Sequence, residues 1–264
     1  MSDTFRNIKC CIKKDIKEVT RTGKLILFFA LSLGIAVMIM AFTFIFTDIP
    51  DALTSELPGI DISSLEIMMG ELYPRLVRES LGVYSYYIGV FYSLIVILVC
   101  NGILPHEKRD GKWILPREQG YKCRDIIVGK CLVYGCVSGA AVFTGYLMYF
   151  VMAGSFMERN MSFGNAMFCA MIQGLNMFFI IAYILLFSAW FKSGVAAAIS
   201  VIGTVLVAPD ILRYFDFGKY LPTYMLTFVY DSSNEYGSVV APLLINLILL
   251  VFTYVMATEK AEKL

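Results

Sequence analysis

The chain alternates between long apolar runs and short segments dense in charge. Six apolar runs stand out, over residues 25–46, 83–104, 131–152, 166–191, 193–209 and 239–256. A helix needs about 20 apolar residues to cross the hydrocarbon core of a bilayer. The fourth run is long enough to tilt, and the fifth is short for a full crossing. Pro242 falls in the first turn of the sixth, where proline is tolerated. The first run is not a cleaved leader. Its apolar core exceeds the roughly 7–15 residues of a signal peptide, and Phe, Thr and Ile residues precede Asp48 where a small-residue cleavage site would stand. The pattern predicts one domain over residues 1–264: an all-α integral membrane protein with six transmembrane helices.

Residues 3–23 carry a second period. Phe5, Ile8, Ile12, Ile16 and Val19 are spaced three or four apart and share one helical face, with Lys and Arg around the rest. A basic amphipathic helix beside a span lies in the interface plane. It can serve as a positive-inside anchor or as an elbow helix that transmits motion from a cytoplasmic partner.

Charge sets the orientation. Arg6, Lys9, Lys13, Lys14, Lys17, Arg21 and Lys24 precede the first run, and seven more Lys and Arg fall between the second and third. With Lys192, Lys260 and Lys263, seventeen lie on one side, against five on the other: Arg75, Arg78, Arg159, Arg213 and Lys219. Basic loops stay inside, so both termini are expected in the cytoplasm and the protein in the plasma membrane. Composition agrees. The chain is 58% hydrophobic and 16% charged, with a net charge of +1. That excludes a disordered chain, a nucleic-acid-binding domain and a typical cytosolic enzyme. The seven cysteines show no C-x-x-C pair and read as reduced thiols.

The first outer loop, 48–82, is acidic, with Asp48, Asp51, Glu56, Asp61, Glu66, Glu71 and Glu79. No spacing matches a calcium loop, so it reads as a solvated face. Residues 65–81 fit a short surface helix interrupted near Pro74. The outer loop 210–238 is rich in Tyr and Phe and suits a re-entrant or interfacial hairpin.

The loop over 105–130 is the one long cytoplasmic loop between spans. It mixes charge with an apolar centre at Trp113, Ile114 and Leu115, and Gly111 and Pro116 stand beside that centre. This suits a short helix docking into a partner's cleft, where a Trp anchor carries much of the binding energy. Glu107-x3-Gly111, then Trp113 to Pro116, then Gly120 and a basic cluster leading to Gly129 and Lys130, resembles the cytoplasmic loop of type-2 ABC (ATP-binding-cassette) exporter permeases. The layout of elbow helix, six spans, large first outer loop and short fifth span is similar to that family over the whole chain. It departs in Lys112, where many members have Thr, and in a shorter run from Gly111 to Pro116. The resemblance implies that this loop is a coupling helix contacting an ATPase subunit, with Glu107, Gly111, Trp113, Pro116, Gly120 and Lys130 as the coupling residues. It also implies a second permease chain, identical or a sister, and a pair of ATPase chains.

The chain has no G-x4-G-K-[ST] motif and so no ATP site of its own. ATP and Mg would belong to the partner, and no cofactor to this chain. Against an intramembrane enzyme, the sequence has no H-E-x-x-H, and its lone histidine, His106, stands at the edge of a span where no Ser, His and Asp set can form. The interiors of the runs hold no Asp, Glu, Lys or Arg, against a proton-coupled carrier. They do hold Asn101, Gln173, Asn176 and Asn246. These amides serve inter-helix hydrogen bonds, or Gln173, Asn176 and Asn246 line a path for an amphipathic peptide, drug or lipid. Gly135-x3-Gly139 is a close-packing motif within or between chains. The fourteen methionines suit adaptable apolar packing. The expected function is the permease subunit of an ATP-driven exporter. The alternative is a membrane sensor or scaffold that docks a cytoplasmic protein through the same loop.

Overall fold

Lipid offers no hydrogen-bond partner to a peptide group, so an apolar run in a bilayer closes its backbone bonds within a helix. The computed structural model describes residues 2–56, 76–191, 193–207, 225 and 239–262, and these follow that rule, with no strand among them. Helix α1 spans Ser2–Arg21 and α2 spans Lys24–Glu56, joined at Gly23, whose φ of 72° makes the turn. Helix α3, Val77–Tyr87, runs through a π-helical turn at Ile88–Tyr92 into α4, Ser93–Cys100, and then α5, Ile103–Arg109. The short α6, Ile114–Glu118, precedes α7, Cys123–Phe156, and α8, Phe163–Trp190. Helix α9 is Gly194–Ile202 with a π turn after it, and α10 is Val240–Glu262.

Five helical stretches are long and apolar enough to cross a membrane: Lys24–Thr43, Val77–Arg109, Cys123–Phe156, Phe163–Trp190 and Val240–Glu259. They contain or overlap five of the six predicted runs. The apolar stretch Gly194–Val205, in the remaining run, is shorter than a crossing requires. Most of the predicted surface helix over 65–81, and almost all of the aromatic loop 210–238, lie outside the described residues. Where description resumes, Val77 N–H donates to Glu158 O at 3.2 Å and Arg78 N–H to Asn160 Oδ1 at 3.0 Å. These bonds tie the start of α3 to the α7–α8 connection.

Helices α7 and α8 form the spine, because glycines let their backbones meet. A Cβ on Gly139 would stand 2.7 Å from the Gly174 carbonyl oxygen, and one on Gly174 would stand 2.9 Å from that of Gly139. A Cβ on Gly135 would meet the Phe178 ring at 2.6 Å. The small-residue motif is thus used inside the chain. Around the spine, Tyr92 and Ser138 hydroxyls pair at 3.1 Å, Tyr84 and Ser32 at 3.3 Å, and Tyr84 stacks on Tyr149 at 4.8 Å between centroids. The outer helices are less enclosed: the most apolar window of α10 is 17% buried, against 72% for α8. Val240, Leu244, Ile248, Val251 and Phe252 of α10 are exposed, as a lipid-facing helix requires.

The apolar stripe of α1 does not bury as one face. Val19 is buried and Ile8 and Ile12 are partly so, but Phe5 and Ile16 are exposed. The buried side, through Cys11, Asp15 and Val19, is rotated about 60° around the helix from the centre of the apolar stripe. One edge of the stripe packs on α7 and α2, and the other is left facing outward, as an interfacial helix leaves it for lipid.

Replacing Gly139 by Ala forces two backbones apart, and a loss of about 1–3 kcal/mol is expected. Gly34→Ala in α2, where a Cβ meets nothing within 4 Å, serves as the control. Thermal melting in detergent should separate the two; equal midpoints would show that the glycine contact does not set the helix spacing.

Candidate functional site

Helix α7 begins at Cys123, eight residues before the apolar run, closed at its start by Lys122 N–H donating to Asp125 Oδ2 at 3.4 Å. Its 34 residues make a rod of about 51 Å, against a hydrocarbon core of about 30 Å. The first turns project past the core, and α1 crosses them there. Gly129 is the crossing point, since a Cβ at that position would lie 2.8 Å from Cys11 Cβ.

The next residue, Lys130, reaches into the angle between helices and has no exposed surface. Its Nζ lies 2.9 Å from Asp15 Oδ1 of α1 and 3.0 Å from Glu107 Oε1 of α5, with Glu18 Oε2 at 3.7 Å. The second Glu107 oxygen accepts from Trp113 Nε1 at 3.1 Å. Lys108 Nζ stands 5.0 Å from the centre of the Trp113 ring. One ammonium therefore gathers the amino-terminal helix, the loop after α4 and the third long apolar helix. Burial pushes the Asp15 carboxyl above the ordinary aspartate range, and the Glu107 charge adds to this, while Lys130 pulls it back.

The sequence motif folds around this cluster. Gly111 and Gly120, with φ of 70° and 85°, make the turns on either side of α6, a conformation in which a Cβ is strained. Lys112 N–H donates to Glu107 O at 3.0 Å and Tyr121 N–H to Pro116 O at 3.0 Å, so the loop is closed by its own backbone. Pro116 faces α1 across a small cavity shared with Cys10, Cys11 and Tyr121. All six predicted coupling residues thus lie in or beside one unit. Trp113 differs from its expected role as an outward anchor: it is buried against Glu107, and its neighbour Ile114 is the exposed apolar side chain. Lys130, expected at the mouth of a span, is buried in the junction.

The predicted pathway amides lie elsewhere. Gln173 and Asn176, one turn apart near the middle of α8, are buried, and the Gln173 amide and Asn176 Nδ2 have no hydrogen-bond partner among the described residues. Asn246 of α10 accepts at Oδ1 from Tyr183 Oη at 3.0 Å and donates from Nδ2 to Met225 Sδ at 3.2 Å. It acts as an inter-helix bond. All seven cysteines are free.

Asp15 escapes the sequence reading because it sits among six lysines and arginines and looks solvated. Its signal is its spacing, one turn from Cys11 and one from Val19, both buried.

Two carboxylates share one ammonium, so the members of the cluster are unequal. Lys130→Met leaves both buried and uncompensated, and a loss of about 3–5 kcal/mol is expected. Asp15→Asn leaves Lys130 paired with Glu107 and, at 3.7 Å, with the partly exposed Glu18, and should cost about 1 kcal/mol or less. Equal losses in denaturant or thermal unfolding would refute this asymmetry. No protein-family model matches the sequence, and no curated protein matches it, so the cluster's own geometry carries the functional reading.

Proposed function

We propose that the chain is the membrane subunit of an ATP-driven exporter, with six spans, both termini in the cytoplasm of the cell and a location in the plasma membrane. A separate ATPase subunit would bind ATP and Mg, and a second permease chain, the same or a sister, would complete the path. The observation that carries this reading is the Lys130 junction. A loop that only decorated the surface would need no buried ion pairs. Here the loop is bonded to α7 and α1 by charges that cannot separate cheaply, so a push on the loop reaches a transmembrane helix directly.

The face offered to such a partner is the exposed Ile114, while Glu107, Trp113 and Lys130 transmit from behind. Closure of the ATPase pair on ATP would move residues 107–125 together with α1. That movement would open an outward path between two permease halves. Gln173 and Asn176 supply buried amide groups without a described hydrogen-bond partner, suited to an amphipathic peptide, drug or lipid. The large apolar surfaces of α2 and α10 leave room for both lipid and a second chain.

Affinity purification of the tagged chain from its native cell in mild detergent, read by mass spectrometry, tests the reading. A stoichiometric protein with a P-loop is the expected result, lost in Ile114→Asp, while Glu107→Gln retains the partner but uncouples its ATPase from cargo. If repeated gentle extraction yields no ATPase, the exporter assignment fails and docking of another cytoplasmic protein takes its place.

A further inference from the structure

At the end of the bundle that carries the Lys130 junction, a cavity of about 780 Å³ opens between the end of α4, the α5–α6 loop and the turn from α8 to α9. Its polar wall holds His106, Lys108, Arg109 and Arg117, and no Asp or Glu among the described residues lines it. Neither Arg109 nor Arg117 pairs with a carboxylate among the described residues. Arg109 bonds instead to His106 Nδ1 at 2.7 Å, and Lys108 Nζ stands over the Trp113 ring and 3.5 Å from the Ala189 carbonyl. The nearby acids are already engaged: Asp110 with Lys112 at 3.4 Å and Glu107 with Lys130. Three cations therefore converge on one space without a counter-charge, an arrangement that costs repulsion until an anion enters.

The other wall is apolar. Trp113, Phe191 and Val195 line it, and Val195 is exposed. Ile199, one turn further along α9, is exposed too, so an apolar track leads from the cavity along the outside of the helix. A charged mouth at the end of the spans, continued by an apolar track along their depth, matches a phospholipid: phosphate at one end and acyl chain at the other.

We propose that this cavity binds an anionic phospholipid, with its phosphate held by Arg109, Arg117 and Lys108 and its first acyl segment along Val195 and Ile199. Guanidinium groups bind phosphate oxygens in pairs, and basic pockets between helices at the cytoplasmic surface select anionic headgroups. The inference uses the orientation proposed above but not the exporter assignment.

Trp113 supplies the reporter, because the chain has only two tryptophans. In a Trp190→Phe background, purified protein in detergent would be titrated with short-chain phosphatidylglycerol, phosphatidylcholine of the same acyl length, and inorganic phosphate, following Trp113 emission. A saturable change with phosphatidylglycerol is expected, at about tenfold lower concentration than with phosphatidylcholine. Arg109→Gln with Arg117→Gln should weaken it about tenfold or more. Lys13→Gln with Lys17→Gln on the exposed face of α1 should leave it within about twofold. Equal response to the two lipids overturns the proposal, as does equal loss in the α1 variant, which would reveal general surface attraction. Saturation by inorganic phosphate at the lipid's concentration would also overturn it, making the cavity a site for free anions.

Discussion

A lysine ammonium with no exposed surface is expensive unless carboxylates surround it, and Lys130 has two within 3.0 Å. Removing such an ion from water costs several kcal/mol even after relaxation, and only close, hydrogen-bonded opposite charge recovers it. Lys130 recovers it from Asp15 and Glu107, which lie 115 residues and 23 residues away along the chain. The ion pairs therefore join three elements far apart in the chain, beside the close contact of Gly129 with Cys11. Trp113, bonded to the free oxygen of Glu107, extends the joint into α6. Burial is why the Asp15 carboxyl is pushed up in spite of its lysine, and the Glu107 charge adds to it.

The remainder of the bundle is organised by contrast in packing. Helices α7 and α8 approach until backbone meets backbone at Gly139 and Gly174, and buried Tyr–Ser pairs fill the space beside them. The outer helices α2 and α10 keep broad apolar surfaces exposed. In water such surfaces would drive aggregation; in a bilayer they cost nothing, because lipid tails are as apolar as the side chains.

Much of this was legible in the residues. Run lengths located five membrane-crossing helices to within a few residues at their apolar cores, and the motif from Glu107 to Lys130 located the junction. Three particulars were not legible. Trp113 turned inward, because Glu107 offered its indole N–H a buried partner. The stripe of α1 divided, because the helix rotated to bring Asp15 to Lys130 and left Phe5 and Ile16 outside. The pathway amides divided as well: Asn246 found Tyr183, while Gln173 and Asn176 lie buried without a described partner.

The sequence alone determined that this chain is helical and membrane-embedded, since apolar run length and charge placement act locally and need no knowledge of neighbours. It also determined which loop is chemically distinctive. Only the tertiary structure decided that Asp15, Glu107 and Lys130 meet and that Gly139 faces Gly174. It likewise decided that Lys108, Arg109 and Arg117 converge on one cavity beside Trp113. Those outcomes depend on the relative rotation of helices far apart in the chain. Periodicity sets which residues share a face but leaves the direction of that face to packing and to the cost of burying charge.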